Sequence, residues 1–217
     1  MQFLVVILVL IVPGVALAQE QCPGCVMGVF DDAELSRNFG FWDATNQPVK
    51  TIWVGVKFDT YINEMVGVEL SVDGIGEFCP GPADCFSFSG LVEPSVTIGP
   101  TIASPDDKTN GVGGVNIVWD RCLVGDRAFV KVELSSSNPI PSDVVLRVTR
   151  KFPPSDIRFP EPLFTGCGLI FPRVTITGGC YVIDPSVRPG ETVEDCTLAE
   201  TTAVESLAWS MIKLRYR

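Results

Sequence analysis

The chain has 217 residues, 16 Lys+Arg against 26 Asp+Glu, a formal charge of −10 and a sequence pI near 4.5. It holds no histidine and 8 cysteines. Without an imidazole it cannot run Ser-His-Asp hydrolysis, Cys-His proteolysis, His-ligated zinc chemistry or His-iron oxygenation. Its net negative field opposes broad binding to nucleic-acid phosphate or anionic lipid.

Phe3–Val12 is an unbroken apolar run, ended by Pro13-Gly14 and followed by Ala16-Leu17-Ala18. That order predicts a signal peptide over residues 1–18, cut before Gln19, although the leader carries no Lys or Arg. The run is too short for a membrane span, which needs roughly 20 residues, and no later segment reaches that length. The mature chain is therefore expected to lack a transmembrane segment and to sit at the cell surface, in the medium or in the periplasm. No Asn-x-Ser/Thr sequon occurs.

Beyond the leader the dominant period is two. In Lys50–Phe58 the residues Ile52, Val54, Val56 and Phe58 share one face and Trp53 lies on the other. In Met65–Val72 the inward set is Val66, Val68, Leu70 and Val72. In Ala128–Leu134 it is Ala128, Val130, Val132 and Leu134, and in Val144–Thr149 it is Val144, Leu146 and Val148. Successive strand side chains point to opposite faces, so each segment buries one side and wets the other. Shorter strands are expected at Cys25–Phe30, Phe86–Ser89, Ser95–Gly99, Val115–Trp119, Val174–Thr177 and Tyr181–Ile183. Gly and Pro clusters at Cys79–Pro82, Gly99–Gly114, Asn138–Pro141, Pro153–Pro162 and Pro185–Gly190 mark the loops. Lys151–Pro162 reads as a packed loop, because it leads into Leu163 and Phe164 and contains Ile157 and Phe159. Many short strands with regular turns predict an all-β antiparallel sandwich or barrel, jelly-roll or Ig-like, over residues 19–200.

The period changes at the C-terminus. Thr202-Ala203-Val204-Glu205 matches a capping box, and Val204, Leu207, Ala208 and Met211 recur at helical spacing. Trp209, Ile212 and Tyr216 form a second stripe, and Lys213, Arg215 and Arg217 crowd the last turn, where cations suit the helix dipole. The expectation is a short basic amphipathic helix over residues 201–217, either packed on the sandwich or serving as a docking or sorting tail.

Exported cysteines form disulfides by default. Cys79 and Cys85 flank a turn-rich loop that can bring them within bridging distance. Cys167 and Cys180 bracket a strand-like segment and are expected to pair across a hairpin. Cys22-Pro-Gly-Cys25 can close on itself or reach elsewhere, which leaves Cys122 and Cys196 as a long-range staple. A Cys-x-x-Cys redox centre or a four-sulfur zinc site fits the spacing less well, because no helix follows the motif and no second tight pair exists.

The ending Trp209-Ser210-Met211-Ile212-Lys213-Leu214-Arg215-Tyr216-Arg217 resembles a Trp-Gly-x-Ile-Lys-x-Leu-Tyr-Arg ending. That ending occurs in a group of uncharacterised exported bacterial proteins with a cohesin-like sandwich. Ser210 stands where Gly is usual in that group, and the order at Leu214-Arg215 is changed. The opening Val26–Asp31 is similar to the group's Ile-Gly-Val-Tyr-Phe-Asp, and Val66–Leu70 to its Gly-Trp-Glu-Leu strand. The resemblance implies an exported sandwich whose C-terminal tag serves surface delivery, and it supplies no catalytic residues.

Any catalysis would rest on carboxylates. Asp31, Asp32 and Glu34, Asp73 and Glu77, and Asp120 and Asp126 are the candidate pairs for glycoside hydrolysis. Calcium is the one cofactor with candidate ligands, at Asp31-Asp32 or at Asp106-Asp107 with Asn110-Gly111. Trp42, Trp53 and Trp119, with Phe39 and Phe41, either pack the core or form a sugar-stacking platform. The leading expectation is a non-enzymatic structural, adhesive or interaction module that meets a protein or glycan at the cell surface. A carbohydrate-binding module and a carboxylate-dependent glycosidase are the alternatives.

Overall fold

The computed structural model describes residues 20–59, 62–75, 85–92, 95–103, 113–136, 138–155, 157–159, 161–168, 173–187 and 190. The leader and the C-terminal segment 201–217, with its expected helix, lie outside the described residues. The strands are β1 (Glu20–Phe30), β2 (Phe39–Gly40), β3 (Val49–Lys57), β4 (Glu64–Asp73), β5 (Phe86–Gly90) and β6 (Ser95–Thr101). They continue with β7 (Gly114–Val124), β8 (Arg127–Ser135), β9 (Val144–Thr149), β10 (Leu163–Thr165), β11 (Arg173–Gly178) and β12 (Cys180–Ile183).

One run of hydrogen-bonded neighbours passes through β5-β8-β3-β1-β11-β10-β4, and β4 also pairs with β7, which pairs with β6. The end of β4 changes partner. Its residues up to Leu70 pair with β7, whereas Ser71–Asp73 pair with β9, which leads on to β12 and β2. The three-residue β10 bridges β11 and β4 and so joins the two halves. β1 packs across the core against β9 and β12, completing a β-sandwich. Its interior is aliphatic and aromatic, with Met27, Ile52, Val54, Leu70, Phe129, Val132, Leu146 and Phe164 all fully enclosed. Trp119 and Phe129 meet edge to face at 5.8 Å, as do Phe58 and Phe164 at 5.5 Å. Edge-to-face contact suits the ring quadrupoles.

Two sheet ladders break in the same way. β1 pairs with β11 at Gln21↔Thr175 and resumes at Val26↔Thr177, so Cys22–Cys25 oppose Ile176 alone. β4 pairs with β7 at Met65↔Leu123 and resumes at Gly67↔Val118, so Trp119–Cys122 oppose Val66 alone. An extra stretch of this kind shifts the inward phase of a strand. That explains a departure from simple alternation. Met65 is fully buried and Val66 only half-buried, the reverse of the expected order, while Val68, Leu70 and Val72 keep their phase. A smaller irregularity between β3 and β8, at Val54↔Val130 and Gly55↔Ala128, turns Phe129 inward as well.

Each large break carries a disulfide. Cys22 is bonded to Cys25, with Cα atoms 5.3 Å apart, and Cys122 to Cys167 at 6.0 Å. The second bond replaces the expected Cys167–Cys180 and Cys122–Cys196 pairs. Cys167 and Cys180 do not flank a hairpin, since β11 belongs to the β1 side and β12 to the β9 side. Cys167 instead follows β10, which borders β4 on the side opposite β7, and the looped-out Cys122 reaches it across β4. Cys85 and Cys180 each take part in a disulfide as well, and no free cysteine occurs among the described residues. Cys79 and Cys196 lie outside them.

The Pro-rich segment after β9 packs back on the sheet. Phe159 is buried, Phe152 exchanges two backbone hydrogen bonds with Gly113, and the Ser155 N–H donates to Glu69 Oε1 at 2.8 Å.

Candidate functional site

The described carboxylates among those read from the sequence are either tied up in hydrogen bonds and ion pairs or exposed. Asp31, at the end of β1, is nearly enclosed and fully engaged. The Tyr181 hydroxyl donates to its Oδ1 at 2.7 Å, Lys50 Nζ contacts the same oxygen, and Arg37 Nη2 lies 2.9 Å from its Oδ2. Asp32 accepts from the Ser36 N–H and hydroxyl at 2.8 and 2.6 Å. Burial raises the Asp32 pKa somewhat, but these hydrogen bonds and Arg37 outweigh it and hold the carboxyl below its ordinary value. Asp31-Asp32 is therefore not a calcium cradle, because two cations already occupy the oxygens a metal would need. Glu34, Asp73 and Asp120 are exposed, and Asp126 accepts from the Phe58 N–H at 2.8 Å. Glu77, Asp106, Asp107, Asn110 and Gly111 lie outside the described residues.

The Asp31 cluster locks four strands rather than opening a cleft. Asp31 extends β1, Lys50 is on β3, Tyr181 is on β12, and Gly40 of β2 lies against them. A β-carbon at Gly40 would overlap both Asp31 Oδ1 and the Tyr181 hydroxyl, so no side chain fits there. Burial, then the Asp31 charge, pushes the Tyr181 pKa far up. Close by, the Trp42 N–H donates to Asp184 Oδ1 and the Trp42 indole donates to the Gln47 carbonyl, both at 2.7 Å.

The aromatic residues form no common platform. Trp42 and Trp119 are buried, Trp53 and Phe39 are half-buried, and Phe41 is exposed. Glu64, Cys122 and Cys167 bring three ligand atoms within 4.8 Å of one another. With the sulfurs joined in a disulfide, no thiolate is left to bind a metal there. The tail residues Trp209, Ile212, Lys213, Arg215, Tyr216 and Arg217 lie outside the described residues. Among the described residues no helix is long and apolar enough to cross a membrane.

The feature that sequence reading missed is an apolar outer face on β6, β7 and β4. Val96 and Ile98 are 60% and 59% exposed, and Val118, directly opposite Val96, is 47% exposed. The same cross-strand row continues through Gly67 to Thr165. Gly67 leaves a notch between Val118 and Thr165, and a trough of about 540 Å³ runs over it, lined also by Val66, Trp119 and Cys122. Asp120 and Arg121 line the same trough. Trp119 is 3% exposed, and among the described residues its indole N–H has no hydrogen-bond partner. Alternation placed Ser95–Gly99 in a strand, but it could not reveal that both faces of the strand stay uncovered.

A scan of protein-family profiles finds no match to this chain, and a search of curated proteins finds none. Among solved structures, the chain is similar to a cohesin module from the Clostridium perfringens ATCC13124 family 33 glycoside hydrolase. The two are 9% identical over 74% of this chain and 98% of that module, with a TM-score of 0.39.

Proposed function

We propose that this chain is an exported, non-catalytic interaction module of the cell surface or the surrounding medium, with Trp209–Arg217 as its sorting or docking tag. The observation that carries the reading is the uncovered apolar face at Val96, Ile98 and Val118. Contiguous apolar surface rimmed by polar groups marks a contact site more often than a random exposure. The leader pattern and the disulfides support an oxidising, extracytoplasmic location. The locked Asp31 oxygens weigh against a carboxylate-dependent glycosidase at that end of the sandwich.

Fractionation of the native host, with a membrane-impermeant cross-linker applied to intact cells, tests this. The full chain should appear at the surface or in the medium, with its thiols oxidised and in adducts with other surface macromolecules. A chain ending at Ala208 should change fraction. Recovery in the cytoplasm with reduced thiols, or a surface protein that forms no adduct, overturns the proposal.

A further inference from the structure

We propose that the trough over Gly67 and the free edge of β6 together receive one extended, net-basic polypeptide segment that adds as a strand and sets an apolar side chain into the trough. This rests on the interaction reading above and specifies its partner.

Four features of the molecule converge on that occupant. Among the described residues β6 pairs with no strand but β7, so over Val96–Gly99, before Pro100 and the register break interrupt the ladder, its outer edge faces away from the sheet. A free edge of this kind is a template for strand addition. The side chains beside that edge are Val96, Ile98 and Val118, all exposed, with Val96 and Val118 in cross-strand register. A strand laid there gains apolar contact as well as ladder hydrogen bonds.

The notch comes third. Gly67 sits between Val118 and Thr165 in one row, and the trough above it is lined almost wholly by apolar atoms and has room for a large side chain. Glycine within a strand often marks a place where another chain approaches closely.

Charge decides between occupants. A second copy of the chain brings another −10, and like charge across an interface disfavours docking. A segment carrying Lys or Arg on its outward positions is attracted instead, and its apolar positions alternate with them on the strand. The opposite edge gives the contrast. β5 presents Ser87 and Ser89 to solvent and turns Phe86 and Phe88 against the core.

The probe is a displayed library of random peptides of about twelve residues, a length that covers one strand with its flanks. It is panned against the full mature protein. Enriched peptides should alternate apolar residues with Lys or Arg and include one large apolar anchor. Their binding should slow amide exchange across Val96–Gly99 and leave Phe86–Gly90 unchanged. Val96→Lys and Val118→Lys, both at exposed positions, should each weaken binding about tenfold or more, and Ser87→Lys should not. Gly67→Ala is a second probe of the notch, and its β-carbon would lie 3.1 Å from the Ile117 carbonyl.

Several results overturn the proposal. They are peptides that bind independently of Val96 and Val118, a concentration-dependent dimer abolished by Val118→Lys, and capture of the trough by the chain's own residues 202–217, seen as peptide binding only after their deletion. In each of these the interaction reading stands. Enrichment of no peptide overturns this proposal too, whereas the interaction reading falls on its own test, when the surface protein forms no adduct on intact cells.

Discussion

The β1 break and the β7 break share a plan and differ in use. In each, four residues of one strand oppose one residue of its neighbour, and a cysteine of the looped-out stretch is oxidised. The β1 disulfide closes on itself across 3 positions and stays inside the strand, whereas the β7 disulfide spans 45 positions and crosses β4 to the end of β10. The β1 side then runs into a polar lock, with Asp31 satisfied by Lys50, Arg37 and Tyr181. The β7 side opens into an apolar trough beside β6, which among the described residues pairs with no further strand. Satisfied, buried polar groups fix one arrangement of strands. Uncovered apolar groups have not yet met what they fit. The contrast sets a structural lock at one break against the docking site proposed at the other.

The largest expected effect separates the two disulfides. Closing a longer loop removes more entropy from the unfolded chain. Replacing Cys122 and Cys167 together by serine should cost about 4 kcal/mol, and replacing Cys22 and Cys25 about 2 kcal/mol. Urea melts of both double variants, compared through equal m-values, measure the difference. An equal loss would mean that each bond acts only through its own bulge, and the distinction between a local clip and a cross-strand staple would fail.

The polar lock carries a smaller and pH-dependent effect. Tyr181 is buried against Asp31, so its folded pKa lies above the unfolded phenol value near 10. A raised pKa contributes stability that is complete below pH 10 and declines as pH rises past it. The unfolded chain then loses a proton that the folded chain keeps. The decline is about 1.4 kcal/mol per pH unit for this one proton. The tyrosinate absorbance of Tyr181, taken as wild type minus Tyr181→Phe, should appear together with the loss of near-UV circular dichroism. Ionisation of Tyr181 near pH 10 in a still folded protein would show that the lock is open to water.

Most strands of both regions were legible in the sequence because alternation of apolar residues reports burial on one face. Val144–Thr149 matches β9 end to end, and β3, β4, β8 and β11 differ by about one residue at each end, whereas Val115–Trp119 covers less than half of β7. The three-residue β10 and the two-residue β2 are too short to show a period, so Leu163–Thr165 and Phe39–Gly40 were not read as strands. Both breaks were hidden for a related reason. An extra stretch inside a ladder is a property of two strands, and Met65 with Val66 cannot reveal it without Leu123 and Val118. The staple between Cys122 and Cys167 follows from that break, which is why spacing alone pointed to other pairs. The site was the least legible part. Val96 and Ile98 look like any inward residues of a strand, and only the strand order shows that no layer covers them.

The smallest effect tests that last point most sharply. Val118→Lys and Val96→Lys should change folding stability by no more than about 0.5 kcal/mol, the range for exposed positions. The valines already face water in the isolated chain, and a lysine can lay its stem along the same surface while its ammonium stays solvated. A buried valine would behave differently, because an unpaired charge taken out of water is costly. The same two substitutions are expected to abolish peptide docking at β6, so the readouts should separate, with binding lost and the melt unchanged. A loss above about 2 kcal/mol at either position would place Val96 and Val118 in a covered interior. The β7 break would then be a second structural lock, and the division of labour between the two breaks would not hold.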